Sequence, residues 1–240
     1  MTRLTTCADP EGVAERAAAD VARHLKGIRE QRGVAHLALS GGTTPKRTYE
    51  LLAARAADLE GVHIWFADER CVPPDDEQSN YRLVADSLLT PARIGPDRVH
   101  RMEGELGPDE GARRYEQTLR DGVESWEREL PVLDMIVLGI GPDGHVASLF
   151  PGHSALDAGD GVLCLGVREA PKPPPDRITL SLAVLRAARR CLLLATGAGK
   201  ADAVDAMLGE PTRHVPASLL RRERLTVILD DAAAPRSARR

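Results

Sequence analysis

The 240-residue sequence predicts a single α/β domain, a three-layer α/β/α sandwich with a mostly parallel, Rossmann-like sheet. Segments typical of helices and of buried strands alternate along the whole chain. No long linker, charge block or repeat divides it, so one domain over residues 1–240 is the economical interpretation. Several buried strands end in glycine-rich turns with polar residues, and open α/β sheets build their sites beyond such strand ends.

The amino-acid composition argues against several classes of function. Hydrophobic residues make up 42% and charged residues 28%, which is typical of a soluble globular protein. The net charge of -4 argues against general binding to nucleic acid or to anionic membranes. No apolar run approaches the roughly 20 residues of a transmembrane helix, and residues 1–12 lack the apolar core of a signal peptide. The four scattered cysteines lack metal-site spacing and suggest reduced thiols in the cytoplasm.

The first predicted helix runs from Pro10 to Arg32, where apolar residues recur at three- and four-residue intervals. Asp9 is a suitable N-cap and Gly33 a suitable end. Residues 34–39 (VAHLAL) are then a strand, and residues 45–57 the next helix.

Between that strand and that helix lies a turn rich in glycine and hydroxyl groups, with the sequence Ser40-Gly41-Gly42-Thr43-Thr44-Pro45. A strand–turn–helix unit leaves free backbone N–H groups at the positive end of the helix dipole, where anions bind. The turn matches neither a Walker A motif nor G-x-G-x-x-G, so a small phosphate monoester is the natural ligand. The alternative is a plain turn capped by Thr43 or Thr44.

Three charged residues, Asp68-Glu69-Arg70, follow the apolar strand 62–67 (VHIWFA). They form either a solvated edge or part of a site, and the planar guanidinium of Arg70 suits phosphate. Ser79 is expected to cap a helix that runs to about Leu89. The amphipathic segment 108–130 predicts a helix with a core-facing stripe and no chemistry.

The most informative stretch is 134–153, DMIVLGIGPDGHVASLFPGH. Its apolar start predicts a strand buried on both faces. The glycines that follow force an abrupt turn, directly after which come Asp143 and His145. The alternative is a tight turn with a solvated Asp143 and a His145 that caps a helix.

The rest of the chain continues the alternation, with predicted strands at 162–167, 177–182, 191–195 and 226–229 and predicted helices at 183–188, 201–208 and 216–222. The proline-rich loop 169–176 is either a mobile lid or a passive surface loop. Thr196-Gly197-Ala198-Gly199-Lys200 is a fourth turn after a buried strand, and Lys200 is one of only four lysines. The tail 231–240 is expected to be frayed.

If the strands are parallel, these four turns meet at one edge of the sheet. Arg70, Lys200 and the N–H groups after Ser40 are then expected to clamp a phosphate. His145 is then expected to lie over the reactive carbon of the substrate. A neutral imidazole can take a proton from water near physiological pH.

Five segments of the sequence resemble the 6-phosphogluconolactonase family, in the family's order. They are LALSGGTTP (37–45), WFADERCVPPDDEQSNYRLV (65–84), DMIVLGIGPDGHVASLFPGH (134–153), PKPPPDRITLSL (171–182) and ATGAGK (195–200). The resemblance implies an α/β/α sandwich that hydrolyses 6-phospho-D-glucono-1,5-lactone to 6-phosphogluconate without metal or organic cofactor. It implies a cytoplasmic enzyme, and we expect a monomer or weak homo-oligomer with no nucleic-acid or membrane partner.

The resemblance also assigns roles to residues. His145 becomes the general base. Asp143 either orients its imidazole or holds a sugar hydroxyl, and Asp68 either binds a hydroxyl or pairs with Arg70. The expected substrate-binding residues are Ser40, Gly41, Gly42, Thr43, Asp68, Arg70, Arg177 and Lys200.

Three alternatives were weighed. Glucosamine-6-phosphate deaminases of the same superfamily read GxDGHxAxNEP at the site strand, and Phe150 here stands in place of their glutamate. A sugar-phosphate sensor of a transcriptional regulator is expected to carry a helix-turn-helix segment and a basic face, which the first 33 residues and the net charge do not support. A metal hydrolase built on Asp143, His145 and His153 has an incomplete ligand set.

Overall fold

The structure is a computed structural model that describes residues 2–126 and 130–235. Its strands and helices, numbered in chain order, are β1 Arg3–Cys7, α1 Pro10–Arg32, β2 Ala35–Leu39, α2 Thr43–Ala53, β3 Val62–Phe66, β4 Asp68–Arg70, α3 Asn80–Val84, α4 Pro108–Gly122, β5 Ser125–Trp126, β6 Leu130–Pro131, β7 Met135–Gly139, β8 Cys164–Val167, β9 Arg177–Leu180, α5 Leu182–Ala187, β10 Cys191–Ala195, α6 Ala201–Leu208 and β11 Leu225–Asp230. None of the helices in these ranges is long and apolar enough to cross a membrane.

The predicted α/β architecture is confirmed. Six strands form one parallel sheet in the order β1-β11-β10-β7-β2-β3, with helices packed against it. The inner strands are buried on both faces, as the apolar runs predict. Chain order reverses direction across the sheet between β2 and β7, because β3 follows β2 on one side and β7 lies on the other. Such a reversal opens a crevice at the carboxyl ends of the strands.

Local sequence signals predicted the first and last residues of several helices and strands correctly. Helix α1 has the predicted bounds because the Asp9 side chain accepts a hydrogen bond from Gly12 N at 2.8 Å and caps its start. Gly33 ends it at a φ of 79°, in the left-handed region that glycine reaches without strain. The predicted strand Cys191–Ala195 and helix Ala201–Leu208 are also confirmed in full.

Other predictions were wrong in extent. The N-terminal strand β1 was not predicted, because its five residues are partly exposed and it pairs only with β11 at the other end of the chain. The helix predicted over 108–130 ends at Gly122, and the chain turns into the short strands β5 and β6. Helix α2 begins at Thr43 rather than Pro45, so both threonines belong to its first turn.

A second, antiparallel sheet in the order β4-β9-β8 lies beside the large one. Asp68-Glu69-Arg70 is therefore a strand of this sheet rather than the charged end of β3. The alternation of RITLSL (177–182) predicts a half-buried strand, but Arg177–Leu180 is buried along its whole length. The pairing sets Arg70 directly opposite Arg177.

The C-terminal tail is not frayed where the structure describes it. Ala233 is fully buried and donates its N–H to the carboxylate of Asp230 at 2.8 Å. Residues 236–240 lie outside the described residues. The predicted helical piece 216–222 is a 3-10 turn over Pro216–Leu219.

Three histidines surround the buried Trp65 on one side of the sheet. Trp65 Nε1 donates to His36 Nδ1 at 3.1 Å, and His63 Nδ1 and His100 Nε2 share a hydrogen bond of 2.9 Å. The His100 ring stacks on Trp65 with ring centroids 3.9 Å apart. Burial lowers the pKa of His36 and His63, and burial together with the neighbouring histidines lowers that of His100 to about 4.

We expect this cluster to make the fold sensitive to acid. The unfolded histidines titrate near 6.5 and the folded ones lower, so the unfolded chain binds more protons between these values. The contribution of these histidines to stability is therefore full above about pH 6.5 and is lost as pH falls. This contribution alone should lower Tm by about 5 °C between pH 7 and pH 5. In His100→Phe, which retains a stacking ring without the charge, circular dichroism melts should show a clearly smaller drop; an equal drop would contradict this explanation.

Candidate functional site

A cavity of about 260 Å³ opens at the carboxyl ends of β2, β3, β7 and β10. Nine of the ten predicted site residues line it: Ser40, Gly41, Gly42, Thr43, Asp68, Arg70, His145, Arg177 and Lys200. The tenth, Asp143, contacts His145 from beside the cavity. The predicted convergence of the strand-end turns at one edge is therefore what the structure shows.

The turn after β2 presents the start of helix α2 to the cavity. No side chain of the described ranges caps this helix, so its first N–H groups are available to a ligand. The Ser40 backbone is fixed, because its N–H donates to Val137 O and its carbonyl accepts from the Tyr49 hydroxyl at 2.6 Å. A Cβ at Gly41 would collide with the side chain of Asn80, and Gly42 has a φ of 114°. This geometry requires both glycines.

Four buried polar atoms that line the cavity have no hydrogen-bond partner among the described residues: Ser40 Oγ, Asp68 Oδ1, Arg70 Nε and Asn80 Oδ1. Leaving such an atom unsatisfied costs about 1–3 kcal/mol, so native proteins seldom do it without a reason. Two acceptors, one donor and a hydroxyl together suit a ligand that carries several hydroxyl groups and an anionic group.

Asp68 and Glu69 are buried, which excludes the solvated-edge alternative for this strand. Asp68 Oδ2 accepts from Ser148 Oγ at 2.9 Å, so its partner is this serine and not Arg70. Glu69 accepts from the backbone N–H groups of Arg70, Asn80 and Tyr81, each at 2.7 Å. Burial nevertheless raises the pKa of Glu69 to about 7. These bonds fix Arg70 and Asn80 at the cavity wall.

Asp143 and His145 form a pair at the turn after β7. Asp143 Oδ1 lies 2.5 Å from His145 Nδ1, and the carboxylate can only accept, so Nδ1 carries the proton. Nε2 is then the unprotonated nitrogen of the neutral ring. A Cβ at Gly141 would collide with both side chains, so the glycine turn is a condition for the pair.

The surroundings keep Asp143 ionised. Burial by itself would raise its pKa, but the hydrogen bond and charge of His145 and the ammonium of Lys172 hold it well below the usual range. Lys172 Nζ lies 3.9 Å from Asp143 Oδ1. Of the two roles left open by the sequence, the contact with His145 favours orientation of the imidazole.

The remaining predicted cations have distinct partners. Arg70 Nη1 donates to Gln78 O at 2.5 Å. Lys200 Nζ donates to Ile140 O at 2.7 Å, and burial followed by the charge of Lys172 lowers its pKa. The Arg177 guanidinium lines the cavity, but it also donates to backbone carbonyls of the proline-rich loop 169–176.

The Phe150 ring packs against His145 and the Arg177 guanidinium. Its ring centroid is 4.6 Å from that of His145, and the Arg177 guanidinium carbon lies 5.6 Å above it. Phe150 is buried, so an apolar ring rather than a carboxylate lies beside His145. His153, considered as a metal ligand, uses both ring nitrogens on the backbone of Arg168 and Ala155.

Sequence reasoning missed three contributors: Lys172, Asn80 and Ser148. The scarcity of lysine that drew attention to Lys200 applies equally to Lys172, so that signal was present. Asn80 and Ser148 carried no such signal, because their importance depends on contacts with Asp68 of strand β4 that form only in the folded chain.

Comparison with known proteins agrees with the resemblance seen in the sequence. The family model described as "Glucosamine-6-phosphate isomerases/6-phosphogluconolactonase" matches residues 8–229. The chain is 37% identical to the 6-phosphogluconolactonase of Streptomyces coelicolor, over 98% of this chain and 95% of that protein. It is 38% identical to the human 6-phosphogluconolactonase, over 82% and 79% respectively. The crystal structure of 6-phosphogluconolactonase from Thermotoga maritima superposes with a TM-score of 0.83 at 27% identity, covering 96% of this chain and 99% of that one.

Proposed function

The chain belongs to the glucosamine-6-phosphate isomerase/6-phosphogluconolactonase family and is a lactone hydrolase of its 6-phosphogluconolactonase branch, and we propose that His145 is its general base. The substrate is 6-phospho-D-glucono-1,5-lactone and the product 6-phosphogluconate, a step of the pentose phosphate pathway. A single observation carries the assignment of the base: Asp143 holds His145 Nδ1 at 2.5 Å, which leaves Nε2 free to act at the cavity.

This geometry supports the following reaction. Nε2 takes a proton from water as the water oxygen bonds to the lactone carbonyl carbon, and the carbonyl π electrons move onto its oxygen. Asp143 stabilises the imidazolium that forms. When the tetrahedral intermediate collapses, the bond from carbon to the ring oxygen breaks, and imidazolium protonates the departing oxygen. The neutral imidazole is restored and the product carboxyl group ionises.

The opposite part of the cavity suits the phosphate. The uncapped start of α2 offers N–H groups with the positive end of the helix dipole, and Arg70 and Lys200 add two cations. The unpartnered Asp68 Oδ1 and Asn80 Oδ1 accept hydrogen bonds from sugar hydroxyls. We propose this division of contacts along the substrate, with Asp68 as a hydroxyl ligand.

Phe150 supports hydrolysis of a lactone over deamination of an amino sugar. A deaminase of this superfamily is expected to need a carboxylate at that position, whereas here an apolar ring packs against the general base. A cytoplasmic location and a monomeric or weakly associating state stay predictions.

The proposed substrate is tested with the wild-type enzyme on lactone generated in situ, with the product read by a coupled dehydrogenase and the spontaneous rate subtracted. We expect kcat/KM for glucono-1,5-lactone, which lacks the phosphate, to be lower by about 100-fold or more. At least two charge-assisted hydrogen bonds of about 1.5–3 kcal/mol each are lost. Hydrolysis no faster than in buffer would overturn the proposal, and glucosamine-6-phosphate deamination would be tested next.

A further inference from the structure

The loop 169–176 has few backbone donors with which to hold its own shape. Pro171, Pro173, Pro174 and Pro175 have no N–H, so the loop offers mainly carbonyl groups. Donors from outside must therefore fix those carbonyls. Ala170 N donates to Pro175 O at 2.9 Å at one end of the loop.

Cys71 N donates to Asp176 O at 3.0 Å, and Arg177 supplies side-chain donors to three further carbonyls. Its Nε donates to Pro174 O, and its Nη2 donates to Pro173 O and Lys172 O, all at 3.1 Å. The residue is only 5% exposed, and its guanidinium lies over the Phe150 ring. Burying a guanidinium is costly unless its donors are satisfied, and here the loop carbonyls satisfy them. The contact fixes the backbone of Lys172 in particular.

The bonds of Arg177 to the loop hold Lys172 beside the Asp143–His145 pair. The Lys172 ammonium lies 3.9 Å from Asp143 Oδ1, the same oxygen that accepts from His145 Nδ1, and it lines the cavity. Lys200, the other lysine of the cavity, is tethered to Ile140 O at 2.7 Å. No such short hydrogen bond holds the Lys172 ammonium among the described residues, so its protons are available to a substrate.

We propose that Lys172 is a catalytic residue that donates a hydrogen bond to the lactone carbonyl oxygen, and that Arg177 is the positioning residue that holds Lys172 there. This inference rests on the proposed lactone hydrolysis. As water adds and its proton passes to His145, negative charge develops on the carbonyl oxygen. The Lys172 ammonium stabilises that charge and keeps its own proton, and the charge returns to the carbonyl bond when the ring opens.

Lys172→Met tests the first half of the proposal, because it keeps the length of the side chain and removes the charge. Loss of one oxyanion donor lowers kcat by about 100- to 1,000-fold. We expect KM to change by less than about threefold, since the donor acts mainly on the transition state. Lys26→Met, on the exposed face of α1, is the matched control and should match the wild type.

Arg177→Met and Arg177→Lys test the second half. Lysine retains the charge over Phe150 but lacks the planar fork that reaches three carbonyls, so both variants should lose at least about 10-fold in kcat. If Arg177 acts through Lys172, the double variant Lys172→Met/Arg177→Met should be no slower than Lys172→Met alone. Multiplying losses would overturn the positioning role.

The outcomes separate this inference from the proposed function. A wild type no faster than buffer refutes the hydrolysis itself. A fast wild type with a Lys172→Met variant within threefold of it refutes only the role of Lys172. Circular dichroism and calorimetric binding of 6-phosphogluconate establish that each variant is folded. A folded variant that binds product like the wild type but has a low kcat supports the inference, whereas loss through failed product binding contradicts it.

Discussion

Replacement of His145 by alanine is expected to lower kcat for lactone hydrolysis by about 100-fold or more, the usual contribution of a positioned general base. The expectation rests on the hydrogen bond from His145 Nδ1 to Asp143, which leaves only Nε2 to accept a proton from water. Steady-state kinetics with the coupled dehydrogenase measure the effect. KM should change little, because the alanine removes an interaction made with the attacking water and not with the phosphate.

The matched control is His214→Ala, which removes an exposed imidazole outside the cavity and should leave kcat unchanged. Added imidazole is expected to restore part of the activity of His145→Ala, because the missing base can then diffuse into the cavity. A folded His145→Ala variant with the wild-type rate would show that another group is the base. Asp68, whose Oδ1 has no hydrogen-bond partner in the part of the chain that the structure describes, is then the next candidate.

Asp143→Asn is expected to lower kcat by about 100-fold. The amide can donate to His145 Nδ1 and favour the tautomer with a proton on Nε2, and it cannot stabilise the imidazolium. Because the pKa of Asp143 lies well below its usual range, the carboxylate stays ionised throughout the neutral region, and the loss should persist across it. Kinetics from pH 6 to pH 9 check this.

A double variant distinguishes a role of Asp143 through His145 from direct contact of Asp143 with the substrate. If Asp143 acts only through His145, His145→Ala/Asp143→Asn should be no slower than His145→Ala alone. Asp157→Asn is the control, since Asp157 is exposed and pairs with Arg213 outside the cavity. Losses that multiply would instead place Asp143 on the substrate, as the ligand of a sugar hydroxyl.

The parts of the fold that sequence reasoning predicted are those with local causes. Asp9 and Gly33 bound helix α1 through contacts within a few residues. The apolar run before Gly139 identified a strand buried on both faces without reference to its partners. The glycine turns then placed His145 and the start of α2 at the same edge of the sheet, because the strands are parallel.

The parts that it missed depend on contacts between distant segments. Strand β4 was taken as the end of β3, since nothing in three charged residues indicates pairing with Arg177–Leu180, more than 100 residues later. Arg177 was correctly placed at the cavity, but its bonds to the proline-rich loop depend on that pairing. Lysine scarcity marks Lys172 as it does Lys200, but the contact of Lys172 with Asp143 is made only in the folded loop.

The parallel pairing of β1 with β11 has a consequence for how the chain is made. Arg3 lies opposite Thr226, so this ladder joins segments from nearly opposite ends of the sequence. Translation delivers β1 before β11, and the loop between them must close before the ladder forms. The partner strand of β1 is therefore not available until β11 has emerged from the ribosome. Contacts of such high sequence separation slow folding, and we expect this edge of the sheet to be completed last.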